Sequence, residues 1–457
     1  MRRVTKRLLL LLICIAGALR AEVWAAQDRP PNILLILADD MGWTDAGYLG
    51  SDLYRTPHLD ALAKQSVKFT DSYAACHVCS PTRASIMTGK YPARLHLTDF
   101  IAGGRDRGLR SPPWTKYLPL REVTIAEALR EVGYVCGHFG KWHLNRDKDY
   151  RPGRPRDPGS QGFDVVLTTH KPKSDDDPMH DPHHVDQITA AATKFIDDNR
   201  SRPFFCYVSH NTLHRPVIGH PDLASRFEPR ITSRTRHANA QYAAMVHDLD
   251  QSIARLLSKL DELRLADRTV VIFTSDNGGF LGDEKDRVTS NYPLRDGKGT
   301  NYEGGVRVPT LVRWPGVVVP GAVCDEPIIS NDFYPTLLEI GGAEGNAEHH
   351  ANMDGLSLVP LLRNASATLP RDALYWHYPH YHAAGATPHG AIRVGHWKLI
   401  EFYEDGHLEL YDLSQDIGET SDLAGTLPKK AFRLRQRLAS WRRTVGAQMP
   451  TVPVSAE

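Results

Sequence analysis

The chain has 457 residues, of which 55 are Lys or Arg and 54 are Asp or Glu, and 8% are aromatic. This length can bury a large core, and we expect one large domain followed by a smaller one. The balanced charge excludes the global basic field of a nucleic-acid-binding protein, so any recognition of anions must be local.

The N-terminus has the pattern of a secretory signal. Four basic residues precede an apolar run over residues 8–19, and the small residues that follow offer a cleavage site near Ala25 or Ala26. A membrane anchor is the alternative, but the run is too short to span a bilayer, and Arg20 and Glu22 end it. We therefore expect export to the periplasm or the medium, with no membrane span. Without its first 25 residues the chain has 50 basic and 53 acidic residues, a formal charge of −3.

The cysteines do not form a disulfide framework. The expected mature chain has five, a sparse and odd number: Cys76, Cys79, Cys136, Cys206 and Cys324. Cys76 and Cys79 have a redox or metal-binding spacing, but no second pair accompanies them. We therefore expect at least one cysteine to have another role.

Strands and helices alternate over most of the chain. Thr124 and Glu127 form a capping box that opens a helix. Apolar runs predict buried strands, and apolar residues at steps of three and four predict an amphipathic helix over residues 242–260. The predicted strands are 32–38, 134–139, 203–209 and 269–274, and a further helix is predicted over 185–199. This order is typical of α/β proteins with a doubly wound, mostly parallel sheet flanked by helices.

The pattern changes after about residue 355. Short antiparallel strands are predicted at 373–377, 391–394, 398–403 and 408–413, followed by a helix over 429–445. We therefore divide the chain into a signal peptide (1–26), a catalytic domain (27–354) and a C-terminal α+β subdomain (355–457). Residues 103–110, 174–184 and 343–352 are predicted to be surface loops.

Two polar pairs follow two of the predicted strands. Asp39 and Asp40 come directly after the first strand, and Asp276 and Asn277 follow the strand 269–274. In open α/β sheets, sites form outside the carboxyl ends of the strands. Converging carboxylates need a counter-charge, and an all-oxygen set suits Ca²⁺ or Mg²⁺ better than zinc. Each pair alone is more typical of a helix cap or a turn, but the two pairs together in this topology favour metal ligands.

The segment 79–89, CSPTRASIMTG, carries a second cluster. Cys79 stands just before a predicted helix, near its positive end, with Pro81 suited to the first turn. Arg83, one turn further on, is placed to face the same point and bind an oxyanion. A buried, inert cysteine is the alternative interpretation of Cys79.

With these residues the chain resembles the type I (formylglycine-dependent) sulfatases, arylsulfatase-like members of the alkaline phosphatase superfamily. The family signature C-x-P-x-R followed by T-G is matched by Cys79, Pro81, Arg83, Thr88 and Gly89. A second motif, ending in G-K-x-H, is matched from Gly133 to His143. The Asp39-Asp40 pair and the blocks at 275–279, 297–305 and 410–423 occur along the chain in the same order as in the family. The likeness runs from about Pro31 to the C-terminus.

The resemblance implies a role for each matched residue. Cys79 is expected to be oxidised to formylglycine (3-oxoalanine) by a maturation enzyme. Asp39, Asp40, Asp276 and Asn277, with an oxygen of modified Cys79, are expected to hold Ca²⁺, or alternatively Mg²⁺. Arg83 would steady that oxygen, and Lys141 and Lys298 would bind sulfate. His143 would contact the hydrated aldehyde, and His214 would lie on the leaving-group side. His77 and Cys136 depart from the usual residues, but neither replaces a catalytic group.

The implied reaction is hydrolysis of a sulfate monoester. One hydroxyl of the hydrated aldehyde attacks sulfur, and the second allows sulfate to be released, which an unmodified cysteine does not offer. A phosphomonoester, phosphodiester or phosphonate hydrolase of the same superfamily is the alternative, and a catalytically inactive glycan-binding protein is another. The expected substrate is a small sulfate ester or, more specifically, a sulfated carbohydrate.

The segment 376–382, with Arg105, Arg107 and Arg295, is a candidate glycan-binding platform. Its aromatic and histidine side chains suit stacking on sugar rings, and the three arginines suit an acidic glycan. A loop with packed aromatic residues is an equally good interpretation of the same segment. His247, His349 and His350 are expected to be structural or exposed.

Overall fold

A computed structural model describes residues 29–453 except 105, 148 and 284–286. The predicted signal peptide and Arg105 therefore lie outside the described residues. No helix in the described part of the chain has both the length and the hydropathy needed to cross a membrane.

The strands form one large mixed sheet and a smaller antiparallel sheet, joined by a two-stranded pair. In the described residues, the large sheet has the order β5-β4-β6-β1-β7-β8-β2-β9, the small sheet β11-β12-β13-β14, and the pair β10-β3. The strands are β1 (Asn32–Ala38), β2 (Val67–Phe69), β3 (Ser72–Tyr73), β4 (Val135–Gly140), β5 (Val165–Thr168), β6 (Phe204–Ser209), β7 (Thr269–Ser275), β8 (Thr310–Arg313), β9 (Val323–Cys324), β10 (Ile328–Ile329), β11 (Leu374–Tyr378), β12 (His389–Val394), β13 (Trp397–Phe402) and β14 (Leu408–Asp412).

The five strands from β5 to β7 in this order are parallel, and β1 lies at their centre, paired with β6 and β7. Its apolar run is continuous because both faces are covered. Ile33, Leu35 and Leu37 belong to the core on one face, and Leu34 and Ile36 belong to the core on the other. The carboxyl ends of these strands consequently meet at one edge of the sheet.

Helices cover both faces, which confirms the predicted fold class. The helices are α1 (Pro57–Lys64), α2 (Cys79–Thr88), α3 (Pro92–Leu95), α4 (Ile125–Glu131), α5 (Val185–Asp198), α6 (Pro221–Phe227), α7 (Ala240–Glu262), α8 (Glu303–Val306), α9 (Phe333–Gly341), α10 (Ala347–His350), α11 (Val359–Arg363) and α12 (Pro428–Thr444). The predicted elements are found within two residues of their expected bounds, and the capping box of Thr124 and Glu127 is present. The predicted loop 343–352 is corrected, because it contains α10.

The small sheet packs against α12. Leu434 and Leu438 of this helix share a core with Leu399 and Leu410 of the sheet. Residues from Leu358 to Leu369 still pack in the core of the large sheet. The domain division after residue 354 stays a prediction.

The long helix α7 carries a carboxylate in an unfavourable place. Burial, together with the negative charges of Asp186 and Asp181, raises the pKa of Asp248 to about 7. The pKa of an aspartate in the unfolded chain is near 4. The contribution of Asp248 to the free energy of unfolding therefore falls as the pH rises from about 4 to 7 and is constant above pH 7. Asp248→Asn is therefore expected to raise the free energy of unfolding by about 1–2 kcal/mol at pH 8, and by less towards pH 4, in urea titrations. Asp261→Asn, at an exposed position of the same helix, is the control. A gain for Asp248→Asn that is independent of pH would contradict this account.

Candidate active site

Four polar residues meet where β1 and β7 end. Asp39, Asp40, Asp276 and Asn277 are all at least 98% buried. The backbone N–H of Asp40 donates to Asp276 Oδ1 at 3.2 Å, and Asn277 Nδ2 donates to Asp40 Oδ1 at 2.8 Å. The structure thus brings both predicted polar pairs to one point at the carboxyl edge of the sheet.

The signature segment forms helix α2, which begins at Cys79. Cys79 therefore lies in the first turn rather than before it, and Pro81 occupies a position where no backbone N–H is needed. Thr88 and Gly89 end the helix: the Thr88 hydroxyl donates to Ala84 O, and Gly89 adopts a φ of 70° as the C-cap. The T-G part of the signature therefore ends the helix, and Cys79 lies at the opposite end, in the first turn.

The Cys79 thiol faces a neutral histidine. Its Sγ lies 3.3 Å from His143 Nδ1, and His143 Nε2 lies 3.2 Å from the carbonyl oxygen of Ile101. Because a carbonyl only accepts, Nε2 carries the proton and the Nδ1 lone pair faces Cys79. Burial, with Lys141 and Arg83 nearby, lowers the pKa of His143 well below its usual range. Burial also raises the pKa of the Cys79 thiol, which Lys141 and Lys298 offset only in part.

Three buried cations balance the three carboxylates. Arg83 Nε donates to Asp276 Oδ2 at 2.8 Å, and Arg83 Nη1 donates to the carbonyl oxygen of Lys141 at 3.1 Å. Lys141 Nζ donates to Asp39 Oδ2 at 2.7 Å, and Lys298 Nζ donates to Asp40 Oδ1 at 2.5 Å. These side chains are not solvated surface charges, because each has at most 10% exposure.

The electrostatics favour the charged forms of Asp39 and Lys298, whereas burial raises the pKa of Asp276 despite the neighbouring Arg83. Burial raises the pKa of Asp39, but Lys141, His214 and Arg83 outweigh it, so the pKa lies below its ordinary value. Burial alone would lower the pKa of Lys298, but Asp40 raises it above its usual range.

His214 lies on the opposite side of Asp40 from the strand. Its Nε2 is 3.9 Å from Asp40 Oδ2, and its Nδ1 lies 2.6 Å from the carbonyl oxygen of Arg215. Nδ1 must therefore donate, which leaves Nε2 directed towards the carboxylates. His214 is only part-buried and lines the cavity above the site.

Two glycines allow the loops that carry the lysines to approach the sheet. At Gly140 a Cβ would lie 1.9 Å from the carbonyl oxygen of Ser209, and its φ is 114°. At Gly278 a Cβ would lie 1.8 Å from the carbonyl oxygen of Gly304. Gly140 precedes Lys141, and the N–H of Gly278 donates to the carbonyl oxygen of Gly305 in α8. A side chain at either position would force the backbone of Ser209 or Gly304 to move.

The donor set suits a hard divalent cation. The side-chain oxygen Oδ1 of Asn277 is buried and has no hydrogen-bond partner, as expected of an atom that coordinates a metal. Asp39, Asp40 and His214 each offer an atom within 4.8 Å of the others. Three carboxylates and an amide oxygen favour Ca²⁺ or Mg²⁺.

Other supporting contacts were not predicted from the sequence. Ser80 Oγ accepts from the N–H of Ile101, the residue whose carbonyl fixes His143. Ser209 Oγ donates to the carbonyl oxygen of Lys141. Ser80 occupies an unspecified position of the C-x-P-x-R signature and Ser209 lies outside the motifs, so neither hydroxyl contact gives a sequence signal.

The proposed glycan platform is not exposed. The ring-bearing side chains of the segment 376–382 have at most 9% exposure and pack inside the protein, so the packed-loop interpretation holds. Of these side chains, His382 reaches the active-site cavity. Arg295 donates to the Tyr411 hydroxyl and stacks on Tyr302, and Arg107 is exposed. His349 is structural, because its Nε2 donates to the carbonyl oxygen of Thr88 at 2.7 Å.

A cavity of about 800 Å³ opens above the site. Cys79, Lys141, His143, His214 and Lys298 all line it. Its volume matches that of a pocket for a small molecule or for a sugar unit of a larger one.

Comparison with known proteins agrees with this site. The family model described as Sulfatase matches residues 31–343, and one described as N-sulphoglucosamine sulphohydrolase, C-terminal, matches residues 296–443. A sulfatase of Formosa agariphila is 32% identical, with 91% of this chain and 89% of the relative covered. Human arylsulfatase A is 31% identical, with 93% and 89% covered. N-acetylgalactosamine-6-sulfatase of Canis lupus familiaris is 31% identical, with 79% and 70% covered.

Among solved structures, Ps i-CgsB in complex with k-i-k-neocarrahexaose has a TM-score of 0.77 and 27% identity, with 91% of this chain and 93% of that chain covered. The chain therefore belongs to the sulfatase family, as a type I sulfatase of the alkaline phosphatase superfamily. This confirms the resemblance and makes the protein a sulfuric ester hydrolase.

Proposed function

We propose that this protein releases inorganic sulfate from sulfated carbohydrates, using formylglycine made from Cys79. The observation that carries the proposal is the position of Cys79, whose side chain faces the free Nδ1 of His143 beside three buried carboxylates and two lysines. Export and a formylglycine-generating maturation enzyme are parts of the same proposal.

Asp39, Asp40, Asp276 and Asn277 would hold Ca²⁺, with Mg²⁺ as the alternative. Such a cation would neutralise negative charge on the ester as it develops in the transition state. The three carboxylates and three cations of the site have a formal sum of zero, so a divalent cation would bring it to +2. This positive charge attracts a sulfate monoester, which is an anion. The cation would also compete with the two lysines for Asp39 and Asp40, so these carboxylates would bind the lysines less strongly.

Modified Cys79 would supply a nucleophilic oxygen at the place of the thiol. His143 would accept a proton at Nδ1, because Ile101 keeps the proton on Nε2. Arg83 would hold Lys141 and Asp276 in place from the far side of the cluster. Lys141 and Lys298 would bind the sulfate oxygens, and His214 would lie on the leaving-group side with its Nε2 directed towards the leaving oxygen.

A carbohydrate substrate is supported by the cavity and by two relatives. One relative is an N-acetylgalactosamine-6-sulfatase, and one solved structure contains k-i-k-neocarrahexaose. The cavity of about 800 Å³ leaves room for a sugar unit beside the reacting atoms. A phosphoester or phosphonate hydrolase is the alternative from the same superfamily, and nothing in the site favours it.

The test compares matched esters. Protein produced with a maturation enzyme is expected to release sulfate from an aryl sulfate and from some sulfated glycans, with kcat/KM at least about 100-fold above that for the aryl phosphate. Phosphate release that exceeds sulfate release would move the protein to the alternative class. Binding of glycans with no turnover of any ester, in protein whose Cys79 is modified, would make it a binding protein.

A further inference from the structure

Four basic side chains that line the cavity have no part in the proposed reaction: Arg146, Lys171, Lys173 and Arg215. Lys171 follows the edge strand β5 by three residues, and Arg215 follows His214. Both are exposed, and both line the cavity that contains Cys79 and Lys298. They lie at the same carboxyl edge of the sheet as the reacting groups, because β5 runs parallel to β4.

Neither side chain has an acidic partner among the described residues, since no carboxylate lies within ion-pair distance of Lys171 or Arg215. The Arg215 guanidinium instead lies 4.0 Å from the centre of the Phe280 ring. Two of the acidic residues of the rim are already engaged: Asp147 pairs with Arg154 at 3.2 Å, and Asp157 pairs with the same arginine at 2.9 Å.

The surroundings of Lys171 are strongly positive. Burial lowers its pKa, and Lys141, Lys298 and Arg215 lower it further. Lys141 and Lys298 suffice for the sulfate that is cleaved, so Lys171 and Arg215 are left to contact another anionic group. The positive charge of this part of the cavity would attract such a group.

We propose that Lys171 and Arg215 bind a second anionic group, a sulfate or a carboxylate, on the same carbohydrate. This inference rests on the proposed function and narrows its substrate to glycans with more than one negative charge. A second cavity of about 720 Å³ shares Arg215, Phe280 and Lys298 with the first. The glycan therefore continues past the stacked pair of Arg215 and Phe280, whose ring offers an apolar face to a sugar.

The test uses pairs of oligosaccharides that share the scissile sulfate and differ in one additional sulfate or uronate. The wild-type protein is expected to prefer the more charged member. Lys171→Met, which keeps the apolar stem, is expected to lower kcat/KM for that member by about 10- to 100-fold, mainly through KM, because it removes one charge-assisted contact. The loss on the less charged member is expected to be below about threefold. Arg215→Met is expected to act in the same direction.

Lys194→Met is the matched control, because Lys194 is exposed and pairs with Asp198 on α5, outside this cavity. It is expected to leave both substrates unaffected. Equal losses on both members of a pair for Lys171→Met, or no preference in the wild-type protein, would overturn the proposal.

The second-anion site can also be tested without turnover, by calorimetric measurement of the affinities for an uncleaved uronate oligosaccharide and for its neutral counterpart. Tighter binding of the uronate that Lys171→Met abolishes supports the second-anion site, and equal affinities contradict it. Absence of turnover for every ester would instead count against the proposed function, so the two failures are distinguishable.

Discussion

Cys79→Ala is expected to reduce sulfate release by at least about 10⁴-fold, because it removes the atom from which the proposed nucleophile is made. The side chain is buried, and its Sγ contacts His143 Nδ1, so no neighbouring group in the described structure takes its place. The measurement is kcat/KM for an aryl sulfate, with thermal unfolding to show that the variant is folded.

Cys76→Ala is the matched control for this loss. Cys76 is also buried and lies three residues earlier, but it packs with Val78 and Tyr378 rather than facing His143. We expect this variant to keep at least about a third of the activity. Comparable losses in both variants would contradict a specific role for Cys79, and full activity of Cys79→Ala would exclude it as the nucleophile.

Treatment with a chelator is expected to reduce sulfate release by at least about 100-fold and to lower the unfolding temperature, because it would remove the proposed cation. Asp39 and Asp40 contact Lys141 and Lys298, and a cation that shares these carboxylates would leave the two lysines freer to bind sulfate. Three buried carboxylates also lose a source of charge neutralisation. Addition of Ca²⁺ is expected to restore both properties better than Zn²⁺ does, because the donors are oxygens.

Asn277→Ala tests the same site through affinity alone. In the wild-type protein the buried Oδ1 of Asn277 has no hydrogen-bond partner and is expected to bind the cation. The variant should therefore bind Ca²⁺ at least about tenfold more weakly in a thermal-shift titration. Asn364→Ala, at an exposed position, is the control and should leave the titration unchanged. Unaltered Ca²⁺ affinity in Asn277→Ala would remove Asn277 from the ligand set.

The elements that could be predicted from the sequence are those whose pattern of apolar residues fits only one environment in a folded protein. The run from Asn32 to Ala38 is apolar on both faces, which only a covered central strand accommodates, and the spacing from Tyr242 to Leu260 is that of an amphipathic helix. The polar pairs after β1 and β7 could be placed together because parallel strands end at one edge. The roles of Cys79, the two lysines and the two histidines came from motifs of the family and stay predictions.

Other features depend on contacts between distant parts of the chain. Trp376 and Tyr378 are equally plausible on a surface platform or in a core, and they are buried because β11 packs against the segment around Tyr73 and Cys76. No pattern in the sequence pointed to a binding role for Lys171, because an exposed lysine after a strand is ordinary. The importance of Ile101 comes from its backbone carbonyl, which no side-chain pattern can reveal.

The most direct test of the account is the mass of the tryptic peptide 69–83, which contains Cys79, measured on the same preparation whose sulfate release is assayed. We predict an aldehyde in place of the thiol at residue 79, with specific activity proportional to the modified fraction across preparations made with different amounts of maturation enzyme. Full sulfatase activity in protein whose Cys79 peptide retains only the thiol would contradict the account.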